Sequence, residues 1–157
     1  MGRKITHFDL CDVTGYDRVR MQTIIKNVPP YCHQKGVARV AKEYFRLDLI
    51  VLSVVRALDE EFGLRLQAIA SIGLQLREEL AVPRGINENA GLLITISPPS
   101  VRYVDLKSEP AVGIVVSLKQ IFGRIDRYGS FAPLEGETAH LNLPPSVVRS
   151  QQRKAGG

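Results

Sequence analysis

The sequence predicts an α+β protein in which a mainly helical N-terminal part precedes a β-hairpin and one long helix. Apolar residues recur at three- and four-residue steps from Leu49 to Leu80, which indicates amphipathic helices. The stretches "LLITIS" and "VRYVDL" are rich in β-branched residues and are separated by two prolines, which indicates a hairpin. The chain has 157 residues and is 45% hydrophobic, which is enough for one core and a small second one.

Two short helices are predicted near the N-terminus. Thr6 begins a loose capping box that starts the first helix, and this helix runs through about Val13, where Thr14, Gly15 and Tyr16 interrupt it. Asp17 can cap a second helix over 18–27. Pro29 ends that helix, because the residue before a proline is pushed out of the helical region. The pattern is that of a helix pair joined at a glycine.

A basic segment and a second pair of helices follow. Residues 31–41 turn on Gly36, and this suits a small β-hairpin with the glycine at its tip. A helix over 47–61 comes next, and its periodic leucines and valines require one face to be buried. Gly63 separates it from a further helix that ends before Pro83.

The segment 83–91 is predicted to be a linker, because its proline, glycines and asparagines oppose both helix and strand. It separates an N-terminal domain, 1–82, from a C-terminal region, 92–128, that contains the hairpin and a helix over 110–128. Scattered Pro, Gly, Ser and Gln predict a flexible tail over 129–157.

The helix predicted over 110–128 carries an apolar stripe with alternating steps of three and four residues, which is typical of a paired helix. We expect this stripe to be the interface of a homodimer, since it would otherwise be exposed. The alternative is that it packs on the hairpin or on the N-terminal domain within one chain. The side chains expected in the interface are Ile114, Leu118, Ile121 and Ile125.

Neither catalysis nor metal binding is indicated. The three histidines and the acidic residues form no catalytic motif, and Cys11 and Cys32 lack metal-site spacing. We therefore expect a protein that is not an enzyme and has no cofactor. The N-terminus lacks the apolar centre of a signal peptide, and no apolar run approaches membrane-spanning length, so we expect a cytoplasmic protein without a membrane partner.

The net charge of +5 is unevenly placed, because residues 1–45 contain eight basic and four acidic side chains. A helix pair followed by a basic, glycine-tipped hairpin and another helix predicts a winged helix-turn-helix. In such a fold the second helix enters the major groove and the wing contacts phosphates. The same polar face is also compatible with the solvated outside of a three-helix core. The residues predicted to bind DNA are Arg18, Arg20, Gln22, Thr23, Lys26, His33, Lys35, Arg39 and Lys42.

Four motifs over about residues 6–80 resemble the MerR family of transcriptional regulators. They are, in order, "DVTGYDRVRMQTIIKN", "KGVARV", "FRLDL" and "VVRALDEEFGLRLQAIASI". The resemblance implies a winged helix-turn-helix regulator that binds specific double-stranded DNA as a homodimer and acts with RNA polymerase. Within the family the chain is most similar to the compact regulators of phages and mobile elements.

The chain departs from the MerR pattern in its recognition helix. Gln22, Thr23 and Ile24 stand where the family commonly has an arginine and two aromatic residues, so no base preference follows from the resemblance. This departure leaves an alternative function open, because a fold does not determine a function. The alternative is a winged-helix module that binds another protein, such as an anti-activator or an assembly adaptor, without specific DNA recognition.

Overall fold

The computed structural model describes residues 4–34, 42–85, 87–107 and 112–129. These residues form five α-helices and a three-stranded antiparallel sheet, so the predicted α+β class is confirmed. The elements are α1 (His7–Thr14), α2 (Arg18–Asn27), α3 (Arg46–Arg56), α4 (Leu66–Ala81), β1 (Ala90–Ile96), β2 (Pro99–Asp105), β3 (Ile114–Ser117) and α5 (Leu118–Tyr128).

The N-terminal helix pair begins and ends as the capping residues predict. The backbone N–H of Thr6 donates to Asp9 Oδ2 over 2.7 Å, which completes the capping box of α1. Gly15 follows with a φ of 80°, a left-handed conformation that favours glycine at the end of a helix. The carboxylate of Asp17 then accepts from the backbone N–H of Arg20 over 2.7 Å and caps α2.

The segment after α2 begins with a turn instead of a strand. Tyr31–His33 forms one turn of 3₁₀-helix, in which His33 N–H donates to the Pro30 carbonyl over 3.0 Å. The prediction that the hairpin starts at residue 31 is therefore wrong. Pro30 already has helical backbone angles, with φ −83° and ψ −3°, so the chain enters a 3₁₀ turn here instead of an extended strand, and the Tyr31 side chain is buried. The rest of the predicted hairpin, 35–41, lies outside the described residues.

The two longer helices also follow the sequence pattern. α3 continues as a π-helical turn over Ala57–Glu61, so the helical stretch ends where the sequence predicts. Gly63 has a φ of 65° and separates this turn from α4. A Cβ atom on Gly73 would lie 2.3 Å from the carbonyl oxygen of Pro29, so only glycine lets α4 pass this close to the end of α2.

The sheet has the strand order β2-β1-β3, with both neighbours of β1 antiparallel to it. β1 and β2 form the predicted hairpin, in which Ile96 pairs with Pro99. β1 is the central strand, and its Leu92 and Ile94 are fully buried against the helices. α4 packs on β2, and α5 packs on β1 and α3.

The prediction of one pairing helix over 110–128 is wrong. Ile114–Ser117 is a strand, and the helix begins only at Leu118. Leu118, Ile121 and Ile125 are buried within the chain, so they do not form a free interface for a second copy. The alternative, packing within one chain, is the arrangement observed. Ile114, the fourth residue of the predicted interface, is half-buried in β3.

The buried side chains form one continuous cluster that runs from α1 through α3 and α4 to the sheet and α5. The segment 83–91 therefore joins two parts that share a core. At the far end of α5 the hydroxyl of Tyr128 donates to Asp9 Oδ1 over 2.9 Å, which fixes α5 to the start of α1. Within the described residues, no helix has the length and apolar character needed to cross a membrane.

Candidate functional site

The candidate site is the outer face of α2. The inner face of this helix buries Met21, Ile24 and Ile25, which recur at three- and four-residue steps. The outer face therefore carries the polar residues of the same helix. Its exposed or half-exposed side chains are Arg18, Val19, Gln22, Thr23 and Lys26.

A polar cluster holds the start of α2. The hydroxyl of Tyr16 donates to Asp59 Oδ2 over 2.8 Å. Arg20 donates to both oxygens of the same carboxylate, from Nη2 over 2.7 Å and from Nε over 3.2 Å. This bidentate geometry is the strong form of an arginine–carboxylate pair. Because Asp59 lies in the π-helical turn after α3, the cluster ties the N-terminal end of α2 to the C-terminal end of α3.

A second cluster of the same residue types holds the segment after α2. The hydroxyl of Tyr31 donates to Asp48 Oδ1 over 2.8 Å, and Arg77 of α4 forms a salt bridge with the same oxygen. The other oxygen of Asp48 accepts from the backbone N–H of Phe45 over 2.8 Å and so caps α3. α2 is thus anchored on one side to the end of α3 and on the other side to its beginning.

Both tyrosines keep their protons at physiological pH. Burial, with Asp59 adding to it, raises the pKa of Tyr16 far above its ordinary value of 10.0. Burial also raises the pKa of Tyr31, and the negative charge of Asp48 acts in the same direction. Each phenol is therefore a permanent hydrogen-bond donor to its carboxylate, and the anchoring of α2 does not depend on a titrating tyrosine.

The structure places the predicted residues of α2 in two groups. Arg18, Gln22 and Lys26 are exposed, and the two cations form no salt bridge within the described residues. Thr23 is half-exposed and donates from its hydroxyl to the Val19 carbonyl over 3.1 Å. These four residues share the outer face, and Arg18, Gln22 and Lys26 follow one another at steps of about one helical turn.

Arg20 belongs to the other group, and the prediction that it contacts bases is corrected. Its guanidinium is held by both oxygens of Asp59, and the hydrogen bond with Asp59 raises the pKa of Arg20. Moving it toward a ligand would remove two of the hydrogen bonds that the half-buried Asp59 carboxylate accepts and leave it with the Tyr16 hydroxyl. Arg20 therefore positions α2.

The residues predicted after α2 are only partly described. His33 and Lys42 are exposed. The ammonium of Lys42 lies 3.4 Å from the carbonyl oxygen of Gln34, so the two flanks of the segment 35–41 come close together. Lys35 and Arg39, the predicted phosphate contacts of the wing, lie outside the described residues.

Sequence reasoning missed the residues that orient α2, which are Tyr16, Tyr31, Asp48, Asp59 and Arg77. The signal available in the sequence was one tyrosine on each side of a short amphipathic helix. Their partners lie in α3, in its π-helical extension and in α4, and no local pattern identifies them.

No protein-family model matches the chain, and no curated protein has a significantly similar sequence. Within the part of the chain that the structure describes, no group of three or more His, Cys, Asp or Glu residues is placed to hold a metal ion.

Proposed function

We propose that the protein is a sequence-specific regulator of transcription that binds double-stranded DNA, with α2 as its recognition helix. The observation that carries this proposal is the outer face of α2, where two cations without a salt bridge to any described residue flank an amide and a hydroxyl. The helix that carries them is anchored at both ends. Phosphates attract the cations, and the groove edges of bases offer hydrogen-bond partners to the amide.

The roles of the side chains follow from their chemistry. Arg18 and Lys26 lie two turns apart on one face of α2, a spacing of about 12 Å that lets them contact phosphates while the helix between them enters the groove. Gln22 lies between them, and its side-chain amide can form two hydrogen bonds with one adenine base. The anchored helix loses little freedom on binding, which supports affinity.

The winged helix-turn-helix is part of the same proposal. Its support is the order of α1, the Gly15 turn and α2, followed by a basic segment whose flanks, Gln34 and Lys42, lie close together. In this proposal Lys35, Arg39 and Lys42 contact the DNA backbone beside the recognition helix, and His33 lies at their edge. A homodimer on two half-sites stays a prediction. Its interface would use a surface other than the apolar stripe of α5, because that stripe is buried within the chain.

Selection from a pool of random duplexes tests the proposal. Repeated binding and amplification should enrich one motif, and a duplex with that motif should bind more tightly than its scrambled version by a factor of about a thousand or more at physiological salt. The Gln22→Ala variant should relax the preference at one or two positions of the motif. A pool that shows no enrichment after repeated rounds contradicts sequence-specific binding.

A second candidate function has one observation in its favour. Phe8 on α1 and Val19 on α2 are large apolar side chains of the helix pair, and they are 73% and 74% exposed. Exposed apolar residues of this kind favour a winged-helix module that binds another protein, such as an anti-activator or an assembly adaptor, without specific DNA recognition. On this alternative Phe8→Ser would abolish capture of the partner, and the Arg18→Gln and Lys26→Gln changes would leave duplex binding no different from that of the unmodified chain.

A further inference from the structure

A cleft of about 360 Å³ lies away from α2, where the start of α3, the end of α4, β2 and α5 meet. Its apolar lining includes Leu80, Val82, Pro83 and Phe122, and the buried side chains of Ile50 and Leu118 lie behind them. The volume is within the range of small-molecule sites, which begins at about 300 Å³, and the mixture of an apolar wall with a few polar groups is typical of such sites.

The polar lining of the cleft includes two arginines, and each lies against an aromatic ring. The guanidinium carbon of Arg84 is 4.2 Å from the ring centroid of Tyr103, and that of Arg46 is 5.9 Å from the centroid of Phe122. A guanidinium over an aromatic face is attracted by the ring, and its N–H groups can still form hydrogen bonds. The cleft therefore presents two oriented cationic groups beside apolar side chains.

Each arginine has a carboxylate partner but retains donors. Arg46 Nη2 lies 3.0 Å from Asp126 Oδ1, and Arg84 Nη2 pairs with Glu79. Each guanidinium has five N–H donors, and in each case the pairing uses one nitrogen. Among the described residues, the buried Nε of Arg84 has no hydrogen-bond partner.

Each carboxylate of the cleft already has a partner through one of its oxygens. Glu79 Oε1 accepts from the backbone N–H of Tyr103 over 3.0 Å in addition to its pair with Arg84. Asp126 is largely exposed, so water can donate the remaining hydrogen bonds that its carboxylate accepts. An excess of oriented donors selects a ligand that supplies acceptors, and a carboxylate matches the planar fork of a guanidinium.

We propose that this cleft binds a small amphipathic carboxylate, whose apolar body lies on Leu80, Pro83 and Phe122 and whose carboxylate accepts from Arg84 and Arg46. Nothing else about the protein assigns a ligand to this place. The proposal does not depend on DNA binding, since none of the groups involved belongs to α1 or α2.

Calorimetric titration of the full chain tests the proposal with three probes of one shape: naphthalene-2-carboxylate, the neutral 2-naphthamide and the cationic naphthalen-2-ylmethylamine. The carboxylate should bind at least tenfold more tightly than the amide, a difference of about 1.4 kcal/mol, and the amine should bind most weakly. Resonances of Phe122 and Tyr103 should shift during the same titration.

Variants locate the binding. Arg84→Gln should weaken binding of the carboxylate at least tenfold and leave binding of the amide unchanged. Arg124 is an exposed arginine of α5 outside the cleft, and Arg124→Gln should change neither affinity. Circular dichroism checks that each variant is folded, and Arg46→Gln takes the place of Arg84→Gln if the latter unfolds. Equal affinities for carboxylate and amide, no binding at millimolar carboxylate, or an affinity that is independent of both arginines would overturn the proposal.

Discussion

The two Tyr–Asp–Arg clusters beside α2 contain the same residue types but differ in depth. The Asp48 side chain is 6% exposed and its partner Arg77 27%, whereas the values for Asp59 and Arg20 are 12% and 38%. Asp48 also caps α3 through the N–H of Phe45. The comparison indicates that the Asp48 cluster mainly stabilises the fold, while the Asp59 cluster mainly orients the helix that we propose to bind DNA.

The physical basis of this difference is solvation. Removing one partner of a buried ion pair leaves the other charge uncompensated in a region of low dielectric, which costs much more than the pair itself contributes. A group that can turn toward water recovers most of its solvation. Arg20 can do so more readily than the groups around Asp48.

The largest effect is expected for Asp48→Ala. This change leaves the Arg77 guanidinium, the Tyr31 hydroxyl and the Phe45 N–H without an acceptor, so the free energy of unfolding should fall by about 3–5 kcal/mol. Urea unfolding measures it. Asp48→Asn keeps the shape and one acceptor oxygen and should cost less than Asp48→Ala. A loss below 1 kcal/mol for the alanine variant would contradict the assignment of this cluster to stability.

A smaller effect is expected for Asp59→Ala. The Arg20 guanidinium can become solvated, so the loss should be about 1–2 kcal/mol, most of it from the buried Tyr16 hydroxyl. The same variant should lower the ratio of affinities for the selected and scrambled duplexes, because α2 loses one of its two anchors. Tyr16→Phe is the matched control, since it removes only one hydrogen bond. If Asp59→Ala destabilises the chain as much as Asp48→Ala, depth does not distinguish the clusters.

The smallest effect concerns His7 on α1, which lies outside both clusters. Burial, and then the positive charge of Arg18, lower the pKa of His7 from its ordinary value of 6.5. His7 therefore binds a proton more readily in the unfolded chain than in the folded chain. The contribution of neutral His7 to the free energy of unfolding is fully present above pH 6.5 and decreases as the pH falls toward the lowered pKa. Thermal unfolding between pH 7 and pH 5 should show a smaller loss for His7→Gln than for the unmodified chain. Parallel profiles would be evidence against this role.

Local signals in the sequence were sufficient for most of the fold. Thr6 and Asp17 cap α1 and α2 at the predicted positions, and the periodic apolar residues of α3 and α4 lie in the core. One prediction that was wrong is the single helix over 110–128. Ile114 to Leu118 is a step of four residues, but it crosses from a strand into a helix, so a helical spacing arose from two different elements.

The candidate site was predictable only in its local part. The outer face of α2 follows from helical periodicity, which correctly exposes Gln22 and Lys26. The salt bridge between Arg20 and Asp59 does not follow from helical periodicity. The two residues are 39 positions apart and meet only through the packing of α2 on α3. The cleft with Arg46 and Arg84 combines four elements, and no local spacing predicts it.

The salt dependence of duplex binding tests the central claim, that the outer face of α2 binds DNA, most directly. The double variant Arg18→Gln, Lys26→Gln is compared with Lys119→Gln, Arg124→Gln, which removes the same charge from the exposed face of α5. The slope of log K against log salt should become shallower by about 1.8 for the α2 variant, because each lost phosphate contact contributes about 0.9, and the α5 variant should keep the slope of the unmodified chain. Equal slopes for the two variants would contradict the account.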